Sequence, residues 1–353
     1  MADLRPTGDF DTTYARDMAI VRRPVDWVLL AALLALLAAL PFFAGRYVVG
    51  IVNTIGITLV AAQGLSLLTG YTGQISLGQA AFMTVGGYAS AVLVADLGMS
   101  FWVALPLAGL TAGVVGLIFG LPSLRIKGFY LAMATLSAQF IIPWFFRNVR
   151  TDVFGGAQGR VVPPPQIGAL VLNTPERMYF VILAVAIVAT VVAKNIARTR
   201  LGRAWVALRD NDLAAEVLGI NPFTYKLRAF FLSALYAGVA GALWAHYSRH
   251  INSETFDLAD SIWLLGMIIV GGMGSAVGPI FGTVFIRLLR EAVVLLTPWL
   301  GALVPELKTN ALAALGPMLF GLSLLLFLIF EPRGLAHRWE IAKAAWRLRP
   351  FSH

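Results

Sequence analysis

Cysteine is absent from all 353 residues, which excludes a disulfide framework, a thiolate metal site and a cysteine nucleophile. Charge is scarce as well. Only 13% of residues are Asp, Glu, Lys or Arg, against about a quarter in an ordinary soluble domain. No G-x-x-x-x-G-K-[ST] occurs, so the chain has no P-loop with which to cradle nucleotide phosphates. Only four histidines are present and none sits in H-E-x-x-H. What fills the space is apolar: 59% of the chain is hydrophobic, with 34 glycines. A surface of that composition is made largely for lipid.

Apolar runs near the ~20 residues that cross a bilayer recur along the whole length. Ten candidate spans are read, at about 25–44, 48–69, 76–96, 101–124, 128–146, 177–193, 228–247, 259–273, 279–299 and 311–330. The first is longer than a signal-peptide core and is followed by others, so it reads as an uncleaved helix. Ten spans put both termini on one side. If that side is the cytoplasm, 18 of the Lys and Arg residues fall inside and 7 outside, which fits the positive-inside rule and gives an N-in, C-in topology. The net charge of +9 is thereby assigned to orientation and not to nucleic acid. The expected organisation is a cytoplasmic segment 1–24, a transmembrane domain 25–335 interrupted by a basic cytoplasmic loop 194–228, and a basic tail 336–353.

Glycine patterns the spans. Gly109, Gly113, Gly116 and Gly120 fall on one helix face, and Ala234, Gly238, Gly241 and Ala245 repeat the spacing. Small residues on one face allow close approach of helix backbones in lipid. Two Gly-rich interruptions, TGYTGQISLGQAAF (69–82) and GGMGSAVGPIFG (271–282), sit at comparable places in the two halves. Paired interruptions point to a transport site between internal repeats. Tyr71, Thr72, Gln74, Ser76 and Gln79 in the first are uncharged polar groups suited to pass a zwitterion, and equally suited to a plain inside turn.

Other polar groups are set against plainer uses. His246, His250 and Glu254 lie four apart, but Asn252 and Ser253 end the helix before the third, so a polar helix end is favoured over a metal face. Arg287, Arg290 and Glu291 fall within the ninth span. An internal ion pair or a snorkelling pair of arginines is favoured there over a polar lining.

The most polar structured stretch is RDNDLAAEVLGIN (209–221). Asn211 or Asp212 is a good N-cap for a helix over 213–218. Gly219 occupies the C′ position and Pro222 prevents continuation. Such a helix is too short to persist alone in water. Its acids Asp210, Asp212 and Glu216 stand in the most basic cytoplasmic loop, which points to a docking surface for a cytoplasmic partner.

The segments GYTGQISLGQAAFMTVGGYASA (70–91), IKGFYLAMATLSAQFI (126–141), TRLGRAWVALRDNDLAAEVLGINPFTYKLRAFFLSALYAGVAGAL (199–243), GGMGSAVGPIFG (271–282) and EPRGL (331–335) resemble the LivM-type permease subunits of ABC importers for branched-chain amino acids. The resemblance runs over about residues 28–335. It implies an all-α polytopic membrane protein of two inverted repeats in the bacterial cytoplasmic (inner) membrane. It further implies a second, LivH-type permease subunit, two cytoplasmic ATPase subunits and an extracytoplasmic solute-binding protein. Residues Asn211, Asp212, Ala214, Ala215, Glu216 and Gly219 match the segment that couples to the ATPase. No covalent chemistry and no cofactor are implied for this chain, since ATP hydrolysis belongs to the partners. Where the family often shows T-G-G-x-x-G in an outer loop, this chain has FGGAQG (154–159). Relatives of this architecture also move urea, short amides or aromatic acids. The competing classes are a self-contained secondary transporter or channel, for which Glu291, beside its arginine neighbours, is the only plausible coupling carboxylate in the spans' interior, and a membrane enzyme, for which no nucleophile or clustered His/Asp/Glu constellation is found.

Overall fold

The computed structural model describes residues 24–121, 128–168, 170–303 and 311–347. The cytoplasmic segment expected over 1–24 (apart from Pro24), and the basic residues Arg125, Lys127 and Lys308 used for topology, lie outside the described residues.

The chain is built almost wholly of helices: α1 (Pro24–Phe43), α2 (Arg46–Leu65), α3 (Gln79–Ala95), α4 (Phe101–Gly120), α5 (Phe129–Asn148), α6 (Pro175–Arg198), α7 (Arg200–Asp210), α8 (Asp212–Val217), α9 (Pro222–Ser248), α10 (Leu258–Gly271), α11 (Gly278–Leu303), α12 (Ala311–Phe330) and α13 (Leu335–Arg347). Among the described residues, five helices are long and apolar enough to cross a membrane, and a sixth span arises if α12 and α13, bent by 47°, are taken together. Helices α3 and α10 are apolar but shorter, and α11 carries three charges within its length. The expected ten spans count these three helices as well, together with α5, which is not among the five. A π-helical turn, Ser66–Tyr71, continues α2, so Arg46–Tyr71 forms one span of 26 residues.

α9 is the central element, and its small residues explain why. Gly238 is so close to α4 that an added Cβ would meet Ala112 Cβ at 2.4 Å and the Ala108 carbonyl oxygen at 2.8 Å. A Cβ on Gly241 would strike the Met83 carbonyl of α3, and Gly86 of α3 faces Gly238 in the same way. On α4 the stripe Gly109, Gly113, Gly116, Gly120 lies against Val239, Phe231, Ala234 and Phe230. Both stripes read from the sequence are therefore one three-helix seam. In lipid, where no hydrophobic force drives helices together, such contact supplies the attraction through dispersion. α3 runs alongside α9, with Gln79 beside Ser233 and Ser90 beside His246. α2 and α4 run against it, with Gly64 beside Ser233, Gly50 beside Tyr247, Phe101 beside His246 and Gly120 beside Phe230.

The region expected as a loop over 194–228 is mostly helical. α6 continues through Arg198, α7 and α8 form a hairpin, and α9 already starts at Pro222. Pro at the first turn and Asn221 as the cap, accepting from the Thr224 amide, set that start. At the opposite end of α9 the connections form short strands: β1 (Arg160–Val161) pairs antiparallel with β4 (His250–Ile251), and β2 (Gln166–Ile167) with β3 (Leu170–Val171).

Candidate translocation path and coupling surface

Two helices begin inside the bundle, and their starts meet. The Ala80 amide in the first turn of α3 donates to Ser261 Oγ in the first turn of α10 at 2.9 Å. The Ala81 amide donates to Gln139 Oε1 at 2.9 Å, Ser261 Oγ donates to the same oxygen at 3.1 Å, and Gln139 Nε2 donates to the Phe256 carbonyl at 3.2 Å. Leu77 N donates to Thr135 Oγ1 at 2.9 Å. Backbone N–H groups at a helix start cannot be left bare at membrane depth, so side chains of α5 and α10 satisfy them. Gln139, Thr135 and Ser261 were not singled out from the sequence. Their signal was present as amide and hydroxyl groups within apolar runs.

The break before α3 spans residues 72–78 and that before α10 spans 249–257. Of the two Gly-rich stretches paired in the sequence, 69–82 includes the break before α3, while 272–277 in the second is a turn between α10 and α11. The two Gly-rich stretches nevertheless touch, since a Cβ on Gly70 would meet the Gly274 nitrogen at 2.5 Å.

The five polar residues of the first break are all buried, but in different roles. Gln79 spends its amide on protein: Nε2 donates to the carbonyls of Ala61 at 3.1 Å and Ser233 at 3.3 Å, and Oε1 accepts from Ser233 Oγ at 3.1 Å. Ser76 accepts from the Gly78 amide at 3.4 Å. Thr72 donates its hydroxyl to the Leu68 carbonyl, and Tyr71 closes the π-helical turn. Gln74 Oε1 is buried without a hydrogen-bond partner. Thr72 and Gln74 line a cavity of about 350 Å³ together with Arg209, Asn211, Asp212 and Lys226. Part of the expected path and part of the expected coupling segment therefore share one polar cavity. Tyr71, Ser76 and Gln79 do not line it.

The stretch expected to couple forms a capped helix, Asp212–Val217, one residue earlier than the 213–218 read from the sequence. Asn211 caps α8, its Oδ1 accepting from the Ala214 amide at 3.0 Å. At the other end the Gly219 amide donates to the Glu216 carbonyl at 2.9 Å and the Ile220 amide to the Ala215 carbonyl at 3.0 Å, the paired bonds of a Schellman stop. Gly219 has φ +85°, where a side chain is strained. Ala215 is buried, whereas Ala214, Glu216 and Gly219 are exposed. Asp212 lies 3.6 Å from Lys226 Nζ. Leu213, Val217 and Leu218 are 69%, 87% and 80% exposed, an apolar face that the sequence pattern did not single out. α7 holds this hairpin to the bundle: Trp205 is fully buried and its Nε1 donates to the Tyr225 carbonyl at 2.9 Å, while Arg209 Nη1 donates to the Gly70 carbonyl at 3.0 Å.

A second cavity, of about 220 Å³, lies between α2, α3, α9, α10 and α11. Its lining brings together Arg287, Arg290 and Asp260 with Trp244 and Trp263 and the apolar Met83, Leu264 and Met267. The internal ion pair expected in α11 does not form. Glu291 instead accepts from the Tyr47 hydroxyl at 2.6 Å, Arg287 Nη2 donates to Thr58 Oγ1 at 2.5 Å, and the Arg290 guanidinium lies 5.0 Å over the Trp263 ring. His246 is buried between Ser90 Oγ at 2.8 Å and the Pro163 carbonyl at 2.9 Å. His250 meets the Gln158 carbonyl and Glu254 pairs with Arg147 at 2.9 Å, so these three point to three different neighbours.

At the end of α9 away from α8, the FGGAQG turn needs its glycines. Gly155, Gly156 and Gly159 all have positive φ, and a Cβ on Gly155 would strike the Gly159 carbonyl. Phe154 packs edge-on against Tyr88 and Phe146. Arg160 reaches back to Asp96 at the end of α3, Nη1 donating to Oδ2 at 2.6 Å, and this contact holds the Asp96 carboxyl below the usual carboxylate range.

A helical bundle with membrane-length apolar helices, two helices starting inside it and a polar helical hairpin at one end defines an all-α polytopic membrane protein. The chain belongs to the family described as branched-chain amino acid transport system / permease component, whose model matches residues 47–328. It is 31% identical over 330 residues to the high-affinity branched-chain amino acid transport system permease protein LivM of Escherichia coli (strain K12), covering 87% of this chain and 74% of that one. A probable branched-chain amino acid transport permease protein LivM of Methanocaldococcus jannaschii is 25% identical over 66% of this chain and 67% of its own length. The autoinducer 2 import system permease protein LsrC of Escherichia coli O9:H4 is 27% identical over 86% of both chains. No solved structure matches the chain.

Proposed function

We propose that the chain is the membrane permease subunit of an ABC importer for branched-chain and other hydrophobic L-amino acids. It works with a second, LivH-type permease subunit, two cytoplasmic ATPase subunits and an extracytoplasmic solute-binding protein, in the bacterial inner membrane. The relatives' names supply the solute class. The observation that carries the mechanical part is the capped, outward-facing α8, tied through α7 to the broken helices of the bundle.

In this scheme the ten apolar helices cross the membrane with both termini cytoplasmic, within a permease domain of residues 25–335. They form two inverted repeats, α1–α5 and α6 with α9–α12. Supporting this, α3 and α10 begin beside each other and lead to opposite ends of the bundle. Asn211, Asp212, Ala214, Ala215, Glu216 and Gly219 form the coupling surface, with Leu213, Val217 and Leu218 as its apolar face. A helix of six residues has no stability of its own, so its caps and its seat on Lys226 hold it ready for a partner. Closure of the ATPases on ATP presses α8, and α7 carries that displacement to Gly70 and to Gly274 in the turn before α11. The polar groups at Tyr71, Thr72, Gln74, Ser76 and Gln79 then lie where the first repeat moves against the second.

The test is reconstitution. The tagged chain, co-expressed with the subunits encoded beside it, is expected to retain two ATPases through purification and to drive ATP-dependent leucine uptake into proteoliposomes charged with binding protein. Retention of the ATPases with uptake of a different solute would move the assignment within the family. Uptake without any ATPase would replace it by a secondary transporter.

A further inference from the structure

The 220 Å³ cavity has the chemistry of a solute site that neither the family description nor the relatives' names assign. A cavity of about 150 Å³ already holds a benzene ring, so this one has room for a small amino acid. Its walls divide by chemistry. Arg287 is oriented from one side: Thr58 Oγ1 donates to the Thr54 carbonyl at 2.7 Å, which leaves a lone pair to accept Arg287 Nη2 at 2.5 Å. Arg287 Nε is buried and has no hydrogen-bond partner. Asp260 is fixed by the α10 capping box, Oδ2 accepting from the Asp257 amide at 3.3 Å, with Oδ1 outside that box. Arg287 and Asp260 line the same cavity, yet among the described residues no ion pair joins Asp260 to Arg287 or Arg290.

Opposite charges that share a cavity at membrane depth without a direct ion pair are costly, because each is desolvated and their attraction acts only at a distance. The arrangement becomes favourable when a group with both charges bridges them. We propose that this cavity is a transit site for a free amino-acid zwitterion, with Arg287 taking the carboxylate, Asp260 taking the ammonium and Met83, Leu264 and Met267 taking the apolar side chain. Two arginines against one aspartate bias the cavity towards the carboxylate end. Two methionines in the apolar wall adapt to side chains of different branching, because an unbranched thioether repacks at small cost. The proposal rests on the importer function stated above and adds to it where the solute pauses and what holds each end.

The absence of native cysteine allows a direct test. Thr255→Cys places one thiol at the cavity in a chain assembled with its partner subunits in nanodiscs, and its reaction with an aqueous thiol reagent is followed by the mass of this chain. L-leucine is expected to slow the reaction, while leucinamide, without a carboxylate, and 4-methylpentanoate, without an ammonium, protect far less. A hydrogen bond to a charged group is worth enough that Arg287→Gln should raise the half-protecting leucine concentration roughly ten- to a hundredfold. Arg287→Lys should raise it less and Asp260→Asn comparably, with co-purification of the ATPase reporting assembly. Where Arg287→Gln does not assemble, Arg287→Lys and Asp260→Asn carry the same comparison. Equal protection by leucine in all variants, or none in a complex that does take up leucine, overturns the site. Should the unaltered complex take up no amino acid, the importer function falls instead. Protection by leucine would then still support the site, and its absence would overturn the site too.

Discussion

Arg209 Nη1 donates to the Gly70 carbonyl oxygen at 3.0 Å, joining the helix before α8 to the π-helical turn that ends α2. The same guanidinium lies 3.0 Å from where a Cβ on Gly274 would stand, so one side chain touches both Gly-rich interruptions. The carbonyl it holds has no α-helical partner at that point, because the helix stops there. A cation at the C-terminal end of a helix also meets the negative end of its dipole.

If this contact transmits movement, Arg209→Gln should leave ATPase association intact and lower ATP-driven uptake by roughly tenfold or more, the scale of a lost hydrogen bond to a charged donor. The measurement is uptake per retained ATPase. Unchanged uptake would remove Arg209 from the coupling route.

Gly219→Val separates backbone strain from contact. A Cβ there meets nothing within 4 Å and φ is +85°, so the cost of about 1–2 kcal/mol comes from the left-handed backbone alone. In a helix of six residues that displaces the docking face. Loss of the ATPase on purification is expected for Gly219→Val and for the charge reversal Glu216→Lys. Gly219→Asn should be mild, because asparagine tolerates this conformation. Wild-type retention by both would return α8 to a plain interfacial helix.

The glycine seam predicts unequal penalties. Gly238→Leu must push against the Ala108 backbone, while Gly113→Leu meets the ring edge of Phe231 at 2.8 Å, which can turn. Overpacking costs about 1–3 kcal/mol and more where backbone is the obstacle. Detergent stability should fall most for Gly238→Leu, less for Gly113→Leu and least for Val114→Leu, on the exposed side of α4. A reversed order would refute the seam.

Arg160 holds the Asp96 carboxyl below its ordinary range. A depressed carboxylate pKa contributes stability that is complete above the unfolded value, about 3.9, and is lost as pH falls through the folded one. Hydrogen exchange of the 154–161 turn, corrected for intrinsic rates, should therefore be level from neutral pH down to about 4 and accelerate below. Asp96→Asn should be faster throughout and flat in that window. The same acid-dependent rise in Asp96→Asn would place the titration elsewhere.

Topology is checked by reporter fusions at Gly156 and Asn211, which should report opposite sides of the membrane. Finding them on one side would overturn both the ten-span count and the inside assignment of the basic residues.

Composition and pattern alone made the protein lipid-facing and mainly helical, because few charges leave little water-facing surface and long apolar runs in lipid must satisfy their own backbone hydrogen bonds. Local chemistry also determined α8: an Asn cap, six residues, glycine at C′ and a proline beyond leave the chain little else to form. The glycine stripes named the packing faces, since spacing by four and three puts them on one side of a helix whatever the partner. Tertiary structure decided which faces met, and showed the two stripes to be a single seam. It decided that Gln79 is a strut and Gln74 a cavity wall, because a buried amide's role depends on which carbonyls lie within hydrogen-bond reach. It also brought Asp260 and Arg287 to one cavity. Nothing in the spacing of residues on separate helices records that they meet there, which is set by how α10 and α11 pack.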